Sequence, residues 1–174
     1  MNAENTSQQH QLTTAPLLEH QLCRFGAKLT AYAEPGDVLL LHGGLGSGKT
    51  TLVQCMAQAF GISEDQYVSS PSYGLMHEYI GSSMSIYHMD LYRLNNADEV
   101  EAAGLLDYLT DRDVCLIEWP DRLDEATPDN YLKVTLAATA PTLRTLSLQP
   151  YGPAWFRRES QLIKLCAQFQ VSLD

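Results

Sequence analysis

The chain has 174 residues, of which 45% are hydrophobic, and its formal net charge is −10. This length suits one well-buried domain. The first sixteen residues are polar and no stretch approaches the roughly 18 apolar residues of a membrane span, so we expect no secretory signal, no membrane anchor and a cytoplasmic protein. Residues 98–129 hold eleven acidic residues against two arginines. This acidic stretch is a solvated helix face or a docking surface for a basic partner, and it argues against stable, autonomous binding of RNA or DNA.

The first half of the chain predicts a helix, a buried strand and a second helix. The first helix spans about residues 17–33, where five apolar residues recur at roughly helical spacing: Leu17, Leu18, Leu22, Phe25 and Leu29. A turn at 35–37 leads into Val38–Leu41, a short apolar run typical of a buried parallel strand. Lys49–Phe60 predicts the next helix, with Gly61 as its C-terminal stop.

The second half predicts further strands and a C-terminal helix. The strand predictions are a hairpin around Gly81-Ser82-Ser83, a buried strand and a further, antiparallel pair: Leu75–Ile80 with Met84–Met89, Val114–Ile117, and Tyr131–Ala137 with Leu143–Leu148. Asn96 predicts the cap of a helix that begins at Ala97, and Leu105–Leu109 a second short helical piece. In the C-terminal run, Ala154–Phe169, one helical side carries five residues: Phe156, Leu162, Ile163, Cys166 and Phe169.

The four cysteines occur singly inside apolar stretches, without the spacing of a metal site: Cys23, Cys55, Cys115 and Cys166. We interpret all four as reduced core residues rather than metal ligands or disulfide partners.

The most informative motif is Gly43–Thr50, which reads GGLGSGKT and matches the phosphate-binding pattern G-x-x-x-x-G-K-[ST]. It lies between a predicted strand and a predicted helix, the context that this pattern requires. Glycines let successive backbone N–H groups face a polyphosphate, and the helix N-terminus adds donors and partial positive charge. Lys49 would then approach the β and γ phosphates, and Thr50 would offer its hydroxyl to Mg²⁺. The alternative is a glycine-rich turn that only links two elements.

Other polar residues near strand ends could complete such a site. Glu118 follows the second buried strand and is a candidate Mg²⁺ ligand at the carboxyl edge of the sheet. Asp90 could orient water or bind Mg²⁺ through water, or be a helix cap or ion-pair partner. The hydroxyl-rich segment 69–73 is either a mobile loop that senses the γ phosphate or an ordinary turn. We expect a structural role for His88 and a buried position for His42.

Four blocks in this order resemble the bacterial TsaE family (formerly YjeE), the small ATPase of the tRNA threonylcarbamoyladenosine pathway: GGLGSGKTT at Gly43–Thr51, SPSYGL at Ser70–Leu75, YHMDLYRL at Tyr87–Leu94 and CLIEWP at Cys115–Pro120. The resemblance runs from about Leu17 to Arg144. The combination of H-x-D-L-Y-R with L-[IV]-E-W-P is much more specific than the phosphate loop alone.

The resemblance implies a P-loop ATPase that hydrolyses ATP to ADP and phosphate, slowly without partners. It implies Mg²⁺ held by Thr50 and Glu118, and catalytic roles for Lys49, Asp90 and Glu118. The implied nucleotide-binding residues are the loop and a few residues outside it: Gly43, Gly44, Leu45, Gly46, Ser47, Gly48, Lys49, Thr50, Thr51, Ser72, Trp119 and Arg144. The implied partners are TsaD and TsaB homologues, with tRNA contacted only indirectly.

The implied fold is α/β, a P-loop NTPase-like three-layer sandwich with helices on both faces of a mostly parallel central sheet that has an antiparallel portion. A polar, flexible segment at 1–16 would precede a single domain at 17–174 that ends in a C-terminal helix.

The chain departs from the family pattern at three places: in the loop, in the S-P-T block and in the G-R-R segment. Gly44 stands where the family's G-D-L-G-A-G-K-T-T has Asp, so the hydrolysis rate is the property most open to change. Ser72 replaces the Thr of S-P-T and keeps the hydroxyl. Thr142-Leu143-Arg144 stands for G-R-R, which leaves the contact of Arg144 with nucleotide open.

Two other functions remain open. A P-loop kinase for a small metabolite would need an arginine-bearing lid, and the chain has only seven arginines with no cluster after the second buried strand. A nucleotide-gated binding module with negligible hydrolysis is compatible with Gly44. A GTPase is disfavoured because the chain lacks an N-K-x-D motif.

Overall fold

A computed structural model describes residues 11–82 and 84–170. It contains seven strands: β1 (Leu12–Thr13), β2 (Val38–His42), β3 (Met76–Ile80), β4 (Ser85–Asp90), β5 (Val114–Glu118), β6 (Tyr131–Ala140) and β7 (Leu143–Tyr151). It contains five α-helices: α1 (Glu19–Thr30), α2 (Lys49–Ala59), α3 (Ala97–Ala102), α4 (Gly152–Phe156) and α5 (Glu159–Ala167). Residues 1–10 of the predicted polar segment, Ser83 of the predicted hairpin turn and residues 171–174 lie outside the described residues.

All seven strands form one sheet in the order β1-β7-β6-β2-β5-β4-β3. The four central strands, β6, β2, β5 and β4, are parallel to one another. Antiparallel pairs flank them on both sides, β1 and β7 next to β6 and β3 next to β4. The prediction of a mostly parallel central sheet with an antiparallel portion is therefore confirmed in part: the centre is parallel, and antiparallel pairing forms both outer parts.

Helices pack on both faces of the sheet. Alternating residues of β2 point to opposite sides: Leu39 and Leu41 join the core that includes residues of α1, α2 and α5. Val38 and Leu40 join the core on the other face, with α3 and the 3-10 turn Leu105–Tyr108. A strand that is buried on both faces reads as a continuous apolar run, which is why β2 was recognisable in the sequence.

Most predicted elements are confirmed, with shifts at their ends. The hairpin and the cap at Asn96 are found: Met76 pairs with Met89, and the Asn96 side chain accepts a hydrogen bond from the Glu99 N–H. The first helix is shorter than predicted, because Leu17 leaves it to pair with Arg144 across the sheet. The sheet also includes β1, within the segment that the sequence assigned to a polar N-terminus. No helix within the described ranges is long and apolar enough to cross a membrane.

The predicted C-terminal helix is wrong as a single element. It is divided into α4 and α5 at Arg157 and Arg158, so the helical register changes. Phe156 and Ile163 were predicted on the apolar side, but they are 46% and 49% exposed. The predicted apolar side omitted two residues that are fully buried: Trp155 and Leu165. The break follows from the buried Arg158 side chain, which turns inward to bind the Asp37 carboxylate at the start of β2.

The prediction that all four cysteines are reduced is wrong for two of them. Cys23 of α1 and Cys55 of α2 form a disulfide with a Cα–Cα distance of 4.9 Å. The two helices approach closely because α1 has a glycine, Gly26, where a Cβ would lie 2.9 Å from the Leu52 side chain. No sequence spacing encodes this contact between helices. Cys115 and Cys166 are free and buried, as predicted.

Candidate active site

The glycine loop joins the carboxyl end of β2 to the N-terminus of α2. Gly43, Gly46 and Gly48 have φ of 148°, 74° and 101°, values that side-chain-bearing residues rarely adopt. A Cβ at Gly43 would also lie 2.5 Å from the Leu136 carbonyl oxygen. Gly44 is different, since its φ is outside this range and no atom lies within 4 Å of an added Cβ. Three of the four loop glycines are therefore required by the backbone itself.

Lys49 is the first residue of α2 and its ammonium group folds back over the loop. Nζ donates hydrogen bonds to the carbonyl oxygens of Gly43 at 2.8 Å and Gly44 at 3.0 Å, and it lies 4.2 Å from the centre of the Trp119 ring. Burial lowers the pKa of Lys49, while the nearby carboxylates of Glu118 and Asp90 raise it. The site thus holds a positive charge beside two negative charges.

Thr50 and Glu118 meet through their side chains. The Thr50 hydroxyl donates to Glu118 Oε1 at 2.8 Å, and Glu118 is only 3% exposed. His88 Nε2 lies 2.9 Å from the same oxygen, and His88 is completely buried. The sequence predicted a structural role for His88 and missed this contact, because it depends on the register of β4 against β5.

Asp90 lies at the end of β4, where its carboxylate binds the 69–73 segment. Ser70 Oγ donates to Asp90 Oδ2 at 2.5 Å, and the Tyr92 N–H donates to Oδ1 at 3.1 Å. The Asp90 N–H also donates to the carbonyl oxygen of Leu75. The hydroxyl-rich segment is thereby attached to Asp90 at the carboxyl edge of the sheet. Whether this segment moves stays a prediction.

Lys49, Thr50, Asp90 and Glu118 line one cleft of about 450 Å³. Eleven of the sequence-predicted site residues line it: Leu45, Gly46, Ser47, Gly48, Lys49, Thr50, Thr51, Ser72, Asp90, Glu118 and Trp119. Four further residues line it: Ser70 and Tyr73 belong to the 69–73 segment that the sequence offered as a γ-phosphate sensor or an ordinary turn, and Tyr92 and Arg93 follow Asp90. Arg93 stacks on the Tyr73 ring at 4.1 Å, and both belong to the blocks SPSYGL and YHMDLYRL that the sequence singled out. Gly43 and Gly44 do not line the cleft, but their carbonyl groups hold Lys49.

Arg144 lies on the other side of the loop. Its Nη2 donates to the Gly46 carbonyl oxygen at 3.1 Å, and its Nη1 donates to carbonyl groups of its own hairpin. It lines a second cavity of about 540 Å³ that shares Gly46, Gly48 and Thr51 with the cleft and extends to Leu18 and Leu22. Arg144 is therefore adjacent to the loop and separate from the wall that carries Asp90 and Glu118.

The residues in the cleft fit a Mg²⁺-bound polyphosphate. A Cβ added at Gly44 or Gly46 would meet nothing within 4 Å, so the loop backbone is open to a ligand there. Ser47 Oγ is buried without a hydrogen-bond partner among the described residues. Thr50 and Glu118 supply oxygen atoms, the ligand type that Mg²⁺ prefers. Mg²⁺ commonly takes only one or two protein carboxylates, so the lack of a cluster of three His, Cys, Asp or Glu within the described ranges is compatible with this site.

The fold and the cleft together define the class of protein. It is an α/β protein in which a central parallel strand leads through a glycine-rich loop into a helix, and the Thr50 hydroxyl and the Glu118 carboxylate lie beside that loop. Comparison with known proteins identifies the family. The profile described as "Threonylcarbamoyl adenosine biosynthesis protein TsaE" matches residues 18–146. The chain belongs to the TsaE family.

Individual relatives agree with this assignment. A Bacillus subtilis protein described as "tRNA threonylcarbamoyladenosine biosynthesis protein TsaE" is 39% identical over 127 residues, which cover 72% of this chain and 78% of the relative. A Haemophilus influenzae protein of the same description is 38% identical, with coverage of 68% and 77%. The crystal structure of Bacillus subtilis YdiB superposes with a TM-score of 0.75 at 27% identity, covering 91% of this chain and 98% of that one.

Proposed function

We propose that this protein is a cytoplasmic, Mg²⁺-dependent P-loop ATPase that acts on a TsaB-TsaD complex in tRNA threonylcarbamoyladenosine modification. The observation that carries the proposal is the contact between the Thr50 hydroxyl and the Glu118 carboxylate directly behind the glycine loop. Family membership supports the pathway. The P-loop NTPase-like three-layer fold is part of the same proposal, supported by the helices on both faces of the sheet.

The loop backbone, Lys49, Thr50 and Glu118 each have a role in this proposal. Backbone N–H groups of the loop and of the α2 N-terminus bind the phosphates of ATP, and Lys49 compensates their charge. Thr50 and Glu118 hold Mg²⁺, which supplies further charge compensation in phosphoryl transfer. To bind phosphate, Lys49 must exchange its two carbonyl partners for phosphate oxygens. The displacement is short because both partners belong to the loop itself.

Asp90 is the proposed group that orients the attacking water. Its carboxylate lines the cleft, and its backbone partner in β5 is Glu118, the proposed metal ligand. Ser70 holds one of its oxygens, so movement of the 69–73 segment would change the orientation of Asp90. This contact gives Ser72 and its neighbours a physical route by which they could respond to the γ phosphate.

The second cavity is suited to the nucleoside part of ATP. It adjoins the loop glycines on the side away from Asp90, and it combines the apolar Leu18 and Leu22 with the planar guanidinium of Arg144. A base can stack on a guanidinium plane and on apolar side chains. Arg144 would then bind nucleotide while remaining hydrogen-bonded to the loop through Gly46.

The rim of the cleft supports a protein partner. Leu45 and Tyr73 are 84% and 86% exposed, and Tyr92 is 51% exposed, so large apolar side chains surround the opening. Exposed apolar surface next to a polar cleft is typical of a site that another protein covers. The acidic charge of the chain argues that a partner, rather than this chain, holds the tRNA.

The experiment is a phosphate-release assay with ATP and GTP, run with and without the TsaB and TsaD homologues, together with a scan of small acceptors. We expect ATP hydrolysis that increases when the partners are present. Lys49→Ala should weaken nucleotide binding, whereas Lys164→Ala, on the C-terminal helix, should leave binding unchanged. Phosphate transfer to an acceptor without partners would show a kinase instead. Tight ATP binding without hydrolysis in the complete complex would show a nucleotide-gated binding module.

A further inference from the structure

His88 lies behind the cleft rather than in it. It is on β4, its side chain is completely buried, and it is not part of the cleft wall. Among the described residues its one hydrogen bond is with Glu118, through Nε2 at 2.9 Å from Oε1. His88 therefore cannot reach a ligand directly and can act only through Glu118.

Glu118 Oε1 accepts two hydrogen bonds, from residues on two different elements, and together they fix the orientation of the carboxylate. One comes from the Thr50 hydroxyl of α2 and the other from His88 Nε2 of β4. An ionised carboxylate only accepts, so Nε2 must carry the hydrogen. Within residues 11–82 and 84–170 both hydrogen bonds to the Glu118 side chain end on Oε1, which leaves Oε2 free for another ligand. Because the Thr50 hydrogen also points to Oε1, the lone pairs of its oxygen are available as well.

Packing alone does not account for a histidine at this position. His88 Nδ1 is buried and has no hydrogen-bond partner among the described residues. A buried ring nitrogen without a partner lowers stability relative to an apolar side chain of similar volume. On the same face of β4, the buried residue two positions before His88 is the apolar Ile86. In the part of the chain that the structure describes, the one hydrogen bond of the imidazole is that to Glu118.

We propose that His88 is a positioning residue for the Mg²⁺ site. Its Nε2–H holds the Glu118 carboxylate in the orientation that in turn fixes the Thr50 hydroxyl, so that oxygen atoms of both residues converge on the metal. The inference rests on the proposed function, because it concerns the same metal site. Groups that orient metal ligands typically change metal affinity by about 10–100-fold when they are removed.

The test measures metal binding directly. Free Mn²⁺ is followed by electron paramagnetic resonance during titration of protein and ADP, and metal-free ADP binding is measured separately by calorimetry in the presence of chelator. His88→Leu removes the donor at similar volume. The control is His77→Leu, at the position paired with His88 on β3, which removes an imidazole that does not contact Glu118.

We expect His88→Leu to weaken Mn²⁺ binding by about 10–100-fold, while His77→Leu and the metal-free ADP affinity of both variants stay near the parent value. A second pair keeps the test valid if His88→Leu does not fold. The His88→Gln amide nitrogen can occupy the place of Nε2 and should restore Mn²⁺ affinity, whereas the shorter His88→Asn should not.

The opposing results are distinct. Three results would overturn the role of His88 and leave the proposed function standing. They are equal Mn²⁺ affinity in His88→Leu and the parent protein, equal losses of Mn²⁺ affinity in His88→Leu and His77→Leu, and equal Mn²⁺ affinity of the Gln and Asn variants. If the parent protein binds ADP but shows no Mn²⁺ site, the proposed metal function falls together with the inference.

Discussion

Asp90 and Glu118 are direct partners in the register of β4 against β5, each the last residue of its strand. Glu118 is in turn paired with Leu41 near the end of β2, immediately before the loop. Three adjacent parallel strands thus deliver two carboxylates and the loop to the same edge of the sheet. Open α/β sheets bind ligands at this edge. The two carboxylates hold different partners, so their roles can be separated by substitution.

We expect Asp90→Asn to reduce ATP turnover by about 10²–10⁴-fold, the range typical of a lost general acid-base group. Nucleotide affinity should stay near the parent value, because Asp90 is not part of the loop. Steady-state phosphate release and calorimetric ADP binding provide the two measurements. The control is Asp113→Asn, whose carboxylate accepts a hydrogen bond from Ser85 N–H at the opposite end of the same strands. A parent-like rate of ATP hydrolysis by Asp90→Asn would show that Asp90 has no catalytic role.

We expect Gly44→Asp, which restores the residue of the family pattern, to leave the melting temperature unchanged and to raise the hydrolysis rate. The backbone at Gly44 accepts a side chain without strain or collision. Gly43→Ala is the contrasting variant, because its Cβ would collide with the Leu136 carbonyl group. It should lose stability by about 1–3 kcal/mol, as for a strained backbone position. Thermal unfolding and phosphate release test both, and a destabilised Gly44→Asp protein would contradict the loop geometry.

We expect Arg158→Ala to lower the free energy of unfolding by about 3–5 kcal/mol, the cost of leaving a buried charge without its partner. Arg158 donates to both carboxylate oxygens of Asp37, at 2.5 and 2.7 Å, and the two residues are only 6% and 5% exposed. Arg157→Ala, at the exposed neighbouring position, is the control. Urea unfolding gives the comparison. Equal stability of the two variants would mean that the ion pair contributes little.

We expect two reactive thiols in the denatured protein without reductant and four after reduction. The disulfide between Cys23 and Cys55 closes 32 residues of chain, and its loss should lower stability by about 2–4 kcal/mol. In the native protein, alkylation of the remaining thiols should be slow, because burial raises the pKa of Cys115 to about 12 and that of Cys166 to about 11. Mass spectrometry after alkylation counts the thiols. Four reactive thiols without reductant would contradict the disulfide.

We expect His42 to contribute to a loss of stability at acidic pH. Burial and the nearby Lys133 lower its pKa below the ordinary value of 6.5, although Asp121 acts in the opposite direction. As pH falls through 6.5, the unfolded state takes up a proton before the folded state does, so stability decreases below that pH. The His42→Gln protein should therefore lose less melting temperature between pH 7 and pH 5 than the parent protein. An equal loss in both proteins would contradict this assignment.

Local sequence patterns were sufficient to predict most helices and strands. The features that the prediction missed depend on contacts between residues far apart in the sequence. The loop, β2 and β5 were recognisable because a motif and apolar runs are local. The contact of His88 with Glu118 depends on strand register, and the bond between Cys23 and Cys55 depends on helix packing. The C-terminal run was predicted as one helix because apolar spacing does not reveal that Arg158 turns inward to Asp37 and divides it into two.

The division of the sheet has a practical consequence for choosing fragments of this chain. The family match ends at residue 146, inside β7, and begins after β1. A fragment trimmed to 18–146 would lose β1, the second half of β7, both C-terminal helices and Arg158, the partner of Asp37. It would retain the complete cleft on a sheet with an exposed new edge, a common cause of aggregation. We therefore expect a fragment that keeps β1, the whole of β7 and Arg158 to aggregate less than residues 18–146, the region that the family profile matches.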